Sequence, residues 1–161
     1  MCTEKVLIDY PEEVPMRITQ EADYALRIVT SLARSGTVCG AAELAENEGV
    51  PPRFAHKILR KLMQGGMIKS HPGAKGGYSL STPPARLTML DVIELIEGPF
   101  ALSKCADEDY ICSKNGECKK GCIYHQIFCR VSSEIAEKMQ QLTIADIIDS
   151  NLTQEEKLKK I

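Results

Sequence analysis

The sequence predicts a mainly α-helical chain: a winged helix-turn-helix domain with a small β-hairpin wing, followed by a long C-terminal dimerisation helix. Three observations predict it. A short helical pattern, a glycine-containing turn and a basic helical pattern follow one another over residues 41–64. Two short β-prone runs around a Pro/Gly-rich loop come directly after them. Apolar residues then recur at helical spacing from Ile123 to Leu142.

Residues 1–15 carry two prolines and an acidic bias, and read as a tail with little fixed structure. The first helix is expected over 20–34. Thr19 is its N-cap and Glu21 suits its first turn, where a carboxylate meets the positive end of the helix dipole. Ala22, Ala25, Leu26, Val29, Leu32 and Ala33 give it a buried face, and Gly36 ends it. A second short helix fits 41–47, with Leu44 and Ala45 inward and Gly49 at its end. In the third, Pro52 suits the first helical turn because its missing N–H has no helical partner there. Phe54, Ile58, Leu59 and Leu62 are the expected buried stripe, and Gly65-Gly66 closes the helix.

Met67-Ile68 and Tyr78-Ser79-Leu80 read as the two strands of a wing. Thr88 and Asp91 then have the spacing of a capping box, with Leu90, Ile93, Leu95 and Ile96 packing the helix that follows. In the long helix, Ile123, Ile127, Val131, Ile135, Met139 and Leu142 form an apolar stripe that needs a partner surface, for which a second copy of the chain is favoured. Thr143 opens a last helix, and the charged end 151–161 is expected to fray.

Charge narrows the function. Residues 51–90 hold seven Lys and Arg and no Asp or Glu, so with a net charge of −2 the rest of the chain sums to −9. An acid-free basic block in an acidic chain is an electrostatic footprint for a polyanion. Arg53, His56, Lys57, Arg60 and Lys61 on the reader helix, with Lys69, His71 and Lys75 on the wing, are the candidate contacts to double-stranded DNA. No apolar run reaches the roughly 18–20 residues of a membrane span. The N-terminus lacks the apolar core of an export signal, which points to the cytoplasm. No nucleophile–base pair or nucleotide fingerprint is present, so an enzyme is not expected.

Four of the seven cysteines, Cys105, Cys112, Cys118 and Cys122, lie within one polar loop. In a reducing compartment such a cluster is more often a metal or redox site than a disulfide framework. Six, five and three residues separate them. Neither the tight pairs of structural zinc sites nor the ferredoxin run is present. A loop with almost no apolar anchor is expected to be mobile until a metal group orders it. Cys129 reads as a packed small side chain, and Cys2 and Cys39 as bystanders.

MRITQEADYALRIV from Met16, LAENEGVPPRFAHKILRKLMQGGMI, the wing GAKGGYSLS, VIELIEGPF, the cysteine loop and LTIADII together resemble the Rrf family of winged-helix regulators, which includes the cluster regulator IscR and the nitric-oxide sensor NsrR. The resemblance implies a homodimeric transcription factor, read as a repressor. It also implies an iron–sulfur cluster, two-iron or four-iron, in the cysteine loop. Counting back from LTIADII sets Cys122 at the third family cysteine and Cys105 at the first, with Cys112 and Cys118 both open for the middle one. His125 and Asp23 match positions from which relatives supply an alternative ligand. Pro72 stands where relatives often carry an Arg before the wing glycine, which leaves Lys75 or His71 to read the minor groove. The implied division is an N-terminal tail over 1–15, a DNA-binding domain over 16–98 and a cluster-binding loop over 99–122. A dimerisation helix with its following short helix spans 123–150, and a tail 151–161. The competing expectations are a zinc-stapled or thiol-redox winged-helix regulator, and a small iron–sulfur electron-transfer protein.

Overall fold

The computed structural model describes residues 18–73, 75–106, 110–114 and 121–160. The expected tail over 1–15, Cys2 and Cys118 lie outside them. The fold is mainly helical with one two-stranded antiparallel sheet, as the sequence predicts: α1 (Gln20–Ser35), α2 (Ala41–Asn47), α3 (Pro52–Gln64), β1 (Ile68–His71), β2 (Gly77–Leu80), α4 (Met89–Glu97), α5 (Ile123–Gln141), α6 (Ile144–Ile148) and α7 (Gln154–Leu158).

α1 is the centre around which α2, α3, α4 and α6 pack. Thr19 caps it through its side-chain oxygen, which accepts from Ala22 N. Gly36 ends it in the left-handed conformation, where an L side chain is disfavoured. Ile28, Leu32, Leu44, Ile58, Leu59, Leu62, Ile68 and Val92 are buried in one aliphatic core. Ile144 belongs to the same core. It arrives from the far end of the chain because the segment before α6 pairs with the segment before α4: Met89 N donates to Leu142 O at 2.9 Å and Ile144 N to Leu87 O at 2.8 Å. Thr88 with Asp91, and Thr143 with Asp146, form capping boxes at the two helix starts this pairing brings together.

The structure corrects two expectations. Phe54 is exposed, and Ala55 takes its place in the buried stripe of α3. The stripe Ala55, Ile58, Leu59, Leu62 runs at i, i+3, i+4, i+7 and turns Phe54 to the edge, where its ring meets Tyr24 edge-on at 6.1 Å between centroids. In α4, Leu90, Ile93 and Ile96 are buried as expected, Leu95 packs half-buried against the core, and Val92 is buried with them. The charged end is not simply frayed: α7 forms with a capping box of Thr153 and Glu156. Lys157 Nζ donates to Ile147 O at 2.9 Å, and Lys160 pairs with Asp146.

In the wing, Ile68 faces Leu80 and His71 faces Gly77. Gly77 is needed because a Cβ there would strike the Cys39 carbonyl. That close approach lets Cys39 and Tyr78 exchange backbone hydrogen bonds of 3.0 and 2.9 Å, which ties the base of the wing to the linker after α1.

Candidate nucleic-acid interface and cysteine loop

α2, the turn through Gly49 and α3 set the reader helix on the domain. Gly49 takes a positive φ of 62°, and Val50, buried behind it, donates to Ala45 O at 2.8 Å. α3 buries its aliphatic stripe and leaves Arg53, His56, Lys57 and Arg60 exposed. These basic side chains do not all face the same way. Lys57 Nζ lies 2.8 Å from Glu21 Oε2, and Lys61 Nζ 2.9 Å from Glu21 Oε1. Lys61 also donates to the Ile96 carbonyl at 3.2 Å. The bond from Lys57, then that from Lys61, holds the Glu21 carboxyl below its ordinary range. Arg53, His56 and Arg60, at i, i+3 and i+7, share the neighbouring face and make no ion pair among the described residues. On the wing, Lys69 and Lys75 are exposed. His71 Nε2 meets Ser79 Oγ at 2.9 Å across the strands, so that ring is braced on the hairpin.

The chain from α4 into the cysteine loop is fastened by three side-chain to backbone bonds. Phe100 N donates to Glu94 Oε1 at 3.0 Å, and Leu102 N donates to Ser132 Oγ of α5 at 3.0 Å. His125 Nδ1 lies 2.6 Å from the Cys105 carbonyl. A carbonyl can only accept, so Nδ1 carries the hydrogen, and in the neutral ring the lone pair is on Nε2. Cys105 sits in a 3-10 turn (Lys104–Ala106), its thiol 3.3 Å from Ser103 Oγ. Cys122 is the N-cap of α5, with no side-chain cap bond of its own. Cys129 is half-buried with Sγ 3.5 Å from His125 Nδ1 and 3.7 Å from Nε2, a neighbour the sequence reading of a merely packed side chain did not anticipate.

The cysteine donors lie on both flanks of the loop. Cys105, Cys112 and Cys122 are each half-buried, and Asp23 is turned to Arg27 on its own helix at 2.7 Å. Among the described residues no three His, Cys, Asp or Glu side chains converge as a metal-holding group. The donor chemistry nevertheless fits a thiophilic group. Thiols flank a polar loop, and the one imidazole beside them is held by its Nδ1–H on a backbone carbonyl, the arrangement that orients a ligating histidine.

α5 shows the uncovered apolar stripe that the sequence predicts. Ile123, Ile127 and Val131 are exposed, the first to 61%, and Tyr124 beside them to 69%. Among its described residues only Ser132 is buried. No helix among the described residues is long and apolar enough to cross a membrane.

The pairing of Glu21 with the two lysines and the bond of Ser132 carry no signal in the sequence, whereas the i, i+4 spacing of His125 and Cys129 on a predicted helix could have shown their contact. Glu21 and Ser132 acquire their roles from residues on other segments, and the local pattern explains Glu21 equally well as a first-turn acid.

A family model described as Rrf2, iron-dependent transcriptional regulator, matches residues 18–150. A chain of Mycobacterium tuberculosis designated an HTH-type transcriptional regulator is 40% identical over 88 residues, which cover 53% of this chain and 55% of that one. The alignment thus spans about half the length of that relative. Among solved structures, IscR of T. potens superposes with a TM-score of 0.66 at 20% identity, covering 86% of this chain and 90% of that one. CymR, the global cysteine regulator of B. subtilis, superposes with a TM-score of 0.64 at 22% identity, covering 81% and 95%. At these identities the likeness is one of fold.

Proposed function

The chain belongs to the Rrf2 family of transcriptional regulators, and on that footing we propose that it is a homodimeric, DNA-binding repressor whose cysteine loop senses redox, nitric-oxide or iron–sulfur status. The observation that carries the proposal is the face of α3. Arg53, His56 and Arg60 stand exposed on one side of a rigid helix, with Lys69 and Lys75 on the hairpin that follows and no acid anywhere in residues 51–90.

The reader helix enters the major groove with its N-terminal end foremost, and the wing lies along the flanking phosphates. Each phosphate neutralised by a basic side chain releases counterions, so binding weakens steeply with salt. A second copy covers the apolar face of α5 and sets two reader helices on two half-sites. That pairing is supported by the exposure of Ile123, Ile127 and Val131 together.

Cys105, Cys112, Cys118 and Cys122 are the proposed ligands of an iron–sulfur cluster, with His125 or Asp23 as the alternative fourth. When bound, the cluster supplies a redox centre reactive toward oxidants and nitric oxide. The chain's own part is positional. His125 ties Cys105 to α5, Ser132 ties the preceding segment to the same helix, and Glu94 ties it to α4. Rearranging the loop therefore pulls on the reader domain and on α5 at once, and two reader helices change their relative placement. Because coupling is reciprocal, DNA alters cluster stability by the factor by which the cluster alters DNA affinity.

Anaerobic purification tests the sensor reading. A coloured protein with iron and sulfide in cluster ratio supports it, and a colourless protein carrying stoichiometric zinc sinks it. The DNA reading fails if wild-type protein selects no duplex from a random-sequence library, or if Arg53→Ala with Arg60→Ala binds the selected duplex as tightly as wild type.

A further inference from the structure

The edge of α3 that faces α1 is a clamp. Glu21 and Tyr24 stand about one turn apart on α1, and Phe54, Lys57 and Lys61 stand at i, i+3 and i+7 on α3. One carboxylate, only 18% exposed, holds both ammonium groups at 2.8 and 2.9 Å. Phe54 closes the same edge against Tyr24, and Lys61 reaches on to the Ile96 carbonyl of α4. Next to this edge, Arg53, His56 and Arg60 point outward with no acid against them among the described residues.

From this geometry, and resting on the DNA-reading function proposed above, we infer that Glu21 divides the basic residues of the reader helix into two sets. Arg53, His56 and Arg60 contact DNA. Lys57 and Lys61 are withheld from it and fix the rotation of α3 against α1. Pulling either lysine onto a phosphate exchanges one charge-assisted bond for another and brings no net gain. It also leaves a poorly solvated carboxylate near the phosphate with only one counter-cation, and like charges at low exposure repel. Glu21 is thus a positioning residue for specificity. It keeps two mobile cations from adding sequence-blind attraction and keeps the reading face in one orientation.

Salt titration separates the sets, because each phosphate contact contributes about 0.9 to the slope of log K against log salt. The probes are a duplex selected from a random library by the wild-type protein and a mixed-sequence duplex of equal length. Arg53→Ala and Arg60→Ala are each expected to lower the slope on the selected duplex by about one. Lys57→Gln and Lys61→Gln, which keep most of the aliphatic stem, leave the slope unchanged and lower the thermal midpoint. Glu21→Gln frees both lysines, steepens the slope on the mixed duplex by between about one and two, and reduces the preference for the selected one. A slope lowered by about one in Lys57→Gln or Lys61→Gln overturns the division. So does a folded Glu21→Gln protein with wild-type slope and preference; if that variant does not fold, the two lysine variants decide. A wild-type protein with no salt-dependent DNA binding would instead defeat the DNA-reading function itself.

Discussion

His125 Nδ1 donates to the backbone carbonyl of Cys105 at 2.6 Å, which joins two residues 20 apart in sequence across the mouth of the cysteine loop. One side chain of α5 therefore decides where the first proposed ligand stands, and it does so through backbone rather than sulfur. Losing that donor releases the Cys105 carbonyl from α5, at the cost of about 0.5–1.5 kcal/mol of an ordinary intramolecular hydrogen bond.

His125→Ala is therefore expected to lower the iron retained per chain after anaerobic desalting and to speed amide exchange around residue 105, with the melting of the winged domain little changed. Iron per chain and exchange rates equal to wild type would show that the loop is placed without this bond.

The apolar face of α5 is the second target. Ile127→Glu puts a charge on the exposed stripe and is expected to convert the proposed dimer into a monomer in sedimentation while helical content is kept. Its affinity for a two-half-site duplex should fall, because one reader helix then binds alone. A dimer that survives Ile127→Glu and Val131→Glu together would place the interface elsewhere.

Ile144 is the link by which the last part of the chain stabilises the DNA-reading domain. It is fully buried against α1, so Ile144→Ala should cost about 2–5 kcal/mol in urea unfolding, with an unchanged slope. Truncating the cap that delivers it, Thr143→Ala, should cost about 0.5–2 kcal/mol. If Ile144→Ala unfolds at the wild-type urea midpoint, the packing of α6 on α1 contributes nothing.

Asp146 predicts an acid limb. The hydrogen bond from Lys160, then that from Thr143, lowers its carboxyl from the ordinary 3.8 to about 2. A carboxyl depressed in the folded state favours folding fully above its unfolded value. That contribution is lost as pH falls from about 3.8 toward 2. Asp146→Asn should be less stable than wild type at neutral pH and should lose less on acidification through that window. Parallel pH profiles for the two proteins would refute the assignment.

Much of this structure was legible because it is local. The apolar period located α1, α3 and α5. Thr19 and Gly36 marked the ends of α1, and Thr88 with Asp91, then Thr143, marked the starts of α4 and α6, since caps act within a turn of the residue that makes them. The reader and wing followed from the order of these elements and from the acid-free run between Pro51 and Leu90. The same local logic failed at Phe54. Size favours a Phe over an Ala in a core, yet the phase of the stripe put Ala55 inside.

By itself, then, the sequence determined the elements from α1 to α6, their order, the basic face and the thiols of the loop, because periodicity, capping and charge are written in neighbouring residues. Tertiary structure alone decided that Glu21 takes Lys57 and Lys61, that His125 takes the carbonyl of Cys105, and that Ile144 returns to the core of α1. Each of these joins positions tens of residues apart. Which distant groups meet depends on how whole helices pack, and no local pattern specifies that.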